Sequence, residues 1–77
     1  MNQIKKGNLI VSTIDMWGHF WTKHGAVNLE IRRGTLCMVM KDETFISEIG
    51  KSQISVFIDN KIVDVNLKNE KQFIIVG

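Results

Sequence analysis

Apolar and polar residues alternate with period two wherever the chain is regular. From Ile54 to Asp59, the residues Ile54, Val56 and Ile58 share one face and Ser55, Phe57 and Asp59 the other, which predicts a strand. A turn is predicted next, at Asp59-Asn60-Lys61, because Asn tolerates the positive φ that tight hairpins require. A second strand then runs from Ile62 to Leu67, with Val63, Val65 and Leu67 alternating against Asp64 and Asn66. Upstream, Val27, Leu29 and Ile31 lie on one face and Asn28, Glu30 and Arg32 on the other. After the turn-like Arg33-Gly34, Leu36, Met38 and Met40 alternate with Thr35, Cys37, Val39 and Lys41. These are two more strands, or one strand bent at a glycine.

Leu9 to Ile14 and Phe73 to Val76 are short runs rich in β-branched residues that would close the sheet. Phe45 to Ile49 reads as a further short strand or as part of a loop ended by Gly50. No segment of ten or more residues carries a clean 3.6 period, and the best helical candidate is one turn near Lys68 to Gln72. With no proline, repeat or low-complexity tract to divide it, the chain reads as one domain over residues 1–77. Five or six short strands must close on themselves or pair with a neighbour, since open edges invite aggregation. The fold class expected is therefore all-β, as a small five- to six-stranded barrel.

Composition narrows the function classes. At 44% hydrophobic and 23% charged residues the chain belongs with folded globular proteins, far from disordered ones. A core of this size supplies only about 3–5 kcal/mol, so self-association stays open as a structural role. Ten Lys and Arg against eight Asp and Glu leave +2, too little to attract nucleic acid over the whole surface, so any basic site must be local. The lone Cys37 cannot form an intramolecular disulfide and fits a reducing compartment as a structural thiol. Met1 to Lys6 leads into no apolar stretch with a cleavage site, and no apolar run approaches the ~20 residues of a spanning helix. A cytoplasmic protein is expected, in the host cytoplasm if the chain is viral.

Lys6-Gly7-Asn8-Leu9-Ile10-Val11 as an opening strand and a long irregular loop are followed by Arg32-Arg33-Gly34-Thr35-Leu36-Cys37-Met38-Val39-Met40. The hairpin Ile54 to Val63 and the closing Phe73 to Val76 complete the order. This arrangement resembles the Src-homology-3-like small barrels, particularly the very short ones common among bacteriophage accessory proteins. The chain departs from the peptide-binding branch by having no Tyr and no Pro, so the resemblance does not imply proline-rich ligands. It also lacks the glycine-rich strand of the KOW-type modules, where only Gly34 could correspond, which weakens RNA binding by that route.

The segment Met16 to Gly25 holds both Trp residues, both His residues and Phe20, at the place of the long first loop in the resembling barrels. Loops on a rigid scaffold commonly carry binding, and Trp17 and Trp21 would supply an aromatic platform or else fold back to plug the barrel mouth. Arg32 and Arg33 with Lys23, joined by Lys5 and Lys6, would either converge beside it, a mixture of cations and rings suited to nucleic acid or a nucleotide, or form an ordinary solvated turn, which the small net charge favours. His19 and His24 match no standard metal spacing, and Cys37 has no second Cys beside it. The eight carboxylates are scattered, and no phosphate loop or nucleophile motif is present. No enzyme activity, cofactor or metal is expected. The residues expected to touch a partner are Trp17, His19, Phe20, Trp21, Lys23, His24, Arg32 and Arg33. The first expectation is a non-catalytic module, of the phage-type accessory or inhibitor kind, docking on a larger protein. The alternatives are a nucleic-acid or nucleotide binder and a structural homo-oligomer.

Overall fold

The computed structural model describes residues 3–69 and 71–77. Seven strands follow one another along the described chain: β1 (Leu9–Ser12), β2 (Met16–Thr22), β3 (Gly25–Ile31), β4 (Leu36–Ile46), β5 (Lys51–Ile58), β6 (Lys61–Leu67) and β7 (Phe73–Ile75). All pair antiparallel in one sheet of order β3-β2-β6-β5-β4-β1-β7, so β3 and β7 are its edges and backbone pairing does not close it into a barrel. The expected all-β architecture is present, with seven strands in place of five or six. The added strand is β2, in the segment expected to be a loop. Of the stretch Lys68 to Gln72, Glu70 lies outside the described residues, and none of the other four is helical: Lys68, Asn69 and Gln72 bend and Lys71 turns.

The β5–β6 hairpin is the fold's reference element. Its register runs from Ile58↔Lys61 to Ser52↔Leu67, and both residues of the two-residue turn, Asp59 at φ 51° and Asn60 at φ 60°, take the left-handed conformation. Two successive positive φ values twist a hairpin in the sense its strands prefer, and Asp and Asn accept them at little cost. Alternation then sends Ile54, Val56, Val63 and Val65 to one side, where all are 1% exposed or less.

The sheet curls around that side. Ile10, Ile31, Cys37, Val39 and Phe73 join the same core from β1, β3, β4 and β7, with Ile4 added by the N-terminal segment. A curl requires one strand to bend, and β4 does so where its pairing with β5 slips between Val39 and Thr44, a bulged stretch that increases local twist. Ile4 to Asn8 lies along this bend: the Gly7 N–H donates to the Val39 carbonyl (2.8 Å), the Lys6 N–H to Asp42 Oδ1 (2.7 Å) and the Glu43 N–H to the Ile4 carbonyl (3.0 Å).

Side chains hold together what strand pairing leaves apart. Buried Gln72, just before β7, donates from Nε2 to the Asn66 carbonyl at the end of β6 (3.3 Å) and to the Met16 sulfur of β2 (3.1 Å), while its Oε1 accepts from the Lys68 N–H (2.8 Å). The Ser12 hydroxyl donates to the Arg32 carbonyl and accepts from the Thr35 N–H, tying the end of β1 to the turn between β3 and β4. Gly34 in that turn has φ +86°, which a residue with a Cβ rarely adopts.

Candidate partner-binding face

The segment expected to be an irregular rim loop is instead a strand and a tight turn. Met16, Gly18 and Phe20 alternate with Trp17, His19 and Trp21, and β2 pairs with β3 along its whole length, from Met16↔Ile31 to Thr22↔Gly25. Aromatic residues and Thr favour a pleated backbone. The turn Lys23-His24 is closed by Thr22, whose hydroxyl accepts from the His24 N–H and donates to the Gly25 carbonyl, both at 3.1 Å.

Alternation sorts the aromatic side chains onto two faces. Phe20 points with Met16 and packs against the core, with Lys61 Nζ 5.4 Å from its ring centre. Trp17, His19 and Trp21 point the other way. The two indoles are 64% and 69% exposed, so neither plugs the core. Between them, His19 meets the Trp21 ring edge to face (6.1 Å between centres) and lies opposite Asp64 of β6, with Nε2 3.9 Å from Asp64 Oδ2. Asp64 is itself held by the Ser55 hydroxyl, which donates to Oδ1 at 2.6 Å. Rings of this size, fixed on a paired strand rather than a mobile loop, lose little conformational freedom when covered.

Gly18 explains how β2 reaches β6. A Cβ there would run into Cγ1 of Val63 and come within 3.2 Å of both the Asp64 carbonyl oxygen and Cδ1 of Ile31. Absence of a side chain on the inward face of β2 lets the strand press onto β6, and that contact aims the two indoles away from the core.

The cations do not converge. Lys23 and His24 sit at the hairpin tip, while Arg32 and Arg33 lie past the far end of β3, about 20 Å away for a strand of this length. An extended strand holds apart what a loop would have folded together. Arg32 shares the outer face and is engaged by Glu30 (Nη2 to Oε1, 3.4 Å), the residue paired with Trp17. The Arg33 N–H donates to Asp15 Oδ1 (2.8 Å), capping the turn. Lys5 and Lys6 belong to the segment that crosses bulged β4. Thus Trp17, His19, Trp21 and Arg32 share a face, Lys23 and His24 stand at its tip, and Phe20 is turned from it.

Asp64 and Ser55 complete the neighbourhood and were passed over by the sequence reading. They lie far from His19 along the chain, and only the register of three strands brings them together. Cys37 is buried in β4, and loss of solvent pushes its thiol up from 9.0 to about 11, so it is an inert neutral side chain at neutral pH. Among the described residues no three His, Cys, Asp or Glu side chains gather where they could hold a metal ion. Neither a family model, nor a curated protein, nor a solved structure matches the chain.

Proposed function

We propose that the chain is a non-catalytic binding module that docks on a larger protein through the outer face of β2, with Trp17 and Trp21 as its anchors. One observation carries this reading: two indoles, each about two-thirds in solvent, stand on the same side of one rigid strand. Trp at such positions supplies large contact area at small entropic cost and dominates interface energetics. The neighbouring edge favours a protein over other partners. Among the described residues β3 pairs with β2 alone, so its second row of backbone N–H and C=O groups is free to receive a partner's strand beside the indoles.

A role as an accessory or inhibitor of the bacteriophage kind belongs to the same reading. Its support is the order of short strands and tight turns that resembles the Src-homology-3-like barrels. The side-chain ties through Gln72 and Ser12 complement that order at the sheet's open end.

Immobilised protein and its Trp17→Ala and Trp21→Ala variants, exposed to the same lysate and then to the purified captured protein, test the reading. The expected result is one partner bound by the wild type and weakened at least about 10-fold by either variant, with unchanged circular dichroism. Equal binding by all three proteins removes the β2 face from function. Retention of single-stranded oligonucleotides that falls steeply with salt would move the assignment to nucleic acid, with Arg32 and Arg33 as its phosphate contacts.

A further inference from the structure

The apolar residues of β4 and β5 point to both sides of the sheet. Val39 and Val56 pair on the core side, and Met38 and Phe57 pair on the outside. Register extends the outer pair across four strands: Ile62 lies opposite Phe57, Phe57 opposite Met38 and Met38 opposite Leu9, while Val76, which follows β7, donates its N–H to the Leu9 carbonyl. A second row runs beside the first, with Leu36 opposite Val11 and Val11 opposite Ile74. No charged residue interrupts either row.

Strands apolar on both faces are those of a sheet covered on both faces, whereas a sheet with one wet side alternates apolar with polar. This chain does alternate in that way a few residues further along. There the outer face carries the bonded pairs Ser55–Asp64 and Gln53–Asn66, which bound the apolar rows on one flank.

We infer that these rows are a self-association surface, and that the molecule pairs with a second copy of itself by stacking the outer faces of β1, β4, β5 and β6 about a twofold axis. The area fits. Ile62, Phe57, Met38, Val76, Leu36 and Ile74 are each 44–59% exposed, which makes about 600 Å² of contiguous apolar surface, at the top of what single soluble chains present. Two such patches face to face bury about 1,200 Å², the lower bound of a standard stable interface before any rim is counted. A twofold axis sets apolar row on apolar row without needing complementary charge, and the patch offers none by which to select a different protein. Pairing would also give a second core to a chain whose own core is small.

The rows lie on the same outer side of the sheet as Trp17, which stands beyond the Ser55–Asp64 and Gln53–Asn66 pairs, so a Trp17 substitution tells the two readings apart. Light scattering on the wild-type chain from about 5 to about 500 µM is the first measurement, and it should report twice the 8.8 kDa of one chain at the upper end. Met38→Glu and Phe57→Glu place a carboxylate inside the contact and should raise the dimer dissociation constant about 100-fold or more, while Trp17→Ala leaves it unchanged. A wild type that stays monomeric throughout overturns the inference, whatever the variants do. So does a dimer that survives both Glu variants, or one that Trp17→Ala abolishes, because either result puts the contact elsewhere. Should a Glu variant fail to fold, Phe57→Ser takes its place in the same comparison.

Discussion

The β2–β3 and β5–β6 hairpins have nearly the same parts: strands of seven or eight residues joined by a two-residue turn. Their surroundings differ. In β5–β6 the side chains of Ile54, Val56, Val63 and Val65 are sealed in the core, and the turn has the double positive φ suited to its twist. In β2–β3 only Met16, Gly18 and Ile31 are buried, one of the three has no side chain, and the two largest residues stand in solvent. A sheet of this size can therefore divide its labour, one hairpin supplying stability and the other an exposed working face. The division makes separate demands on each residue, and each demand can be tested.

The largest effect is expected at the centre of the stabilising hairpin. Ile54→Ala removes three carbons from a site 1% exposed, at a cost of about 2–5 kcal/mol. A domain this small holds only about 3–5 kcal/mol in total, so the variant should be largely unfolded in water. Urea denaturation followed by circular dichroism checks it. A variant that kept the wild-type midpoint would show that β5–β6 is not where stability resides.

A smaller effect, about 1–3 kcal/mol, is expected where the two hairpins meet. Gly18→Ala drives a methyl group into Val63 and should lift β2–β3 from β6. Val63→Ala clears the space, so the double variant should recover about 1 kcal/mol relative to the sum of the single changes. Additive costs would mean that the hairpins do not press on each other through this contact.

Cys37 sharpens the comparison from the core side. Burial holds its thiol neutral to about pH 11, whereas in the unfolded chain it ionises near its ordinary 9.0. The folded state thus keeps its proton longer than the unfolded state. The stabilisation is complete below pH 9 and is lost as the pH rises from there through about 11. Urea midpoints across that range should fall more steeply for the wild type than for Cys37→Ala, and parallel slopes would mean that water reaches the thiol.

The same contrast explains what could be read from the residues. The β5–β6 hairpin was legible because its inward positions are apolar and its turn residues announce themselves, and Arg33-Gly34 marked a turn for the same reason. β2 was not, because Gly18 leaves a gap in the inward stripe just where the strand comes closest to β6, and the outward positions hold Trp. Large apolar residues usually point inward, and a strand that reverses this reads as a loop. In β4 the difficulty is the opposite: Leu36 and Met38 are as apolar as Cys37 and Val39, so composition cannot say which pair faces the core. Nor does any local pattern mark the slip in pairing between Val39 and Thr44, which shapes the curl of the whole sheet.

The smallest effect on stability is expected at the residues that matter most for the proposed function. Trp17→Ala and Trp21→Ala remove side chains that bury little and complete no core, so each should change unfolding free energy by no more than about 0.5 kcal/mol. Their emission should be red-shifted and quenched by acrylamide in the free protein. Both signals should shift only when a partner covers them, because solvent already surrounds the indoles. If either substitution instead cost as much as Gly18→Ala, its ring would be bracing the hairpin rather than waiting for a partner, and the division between the two hairpins would collapse into one shared framework.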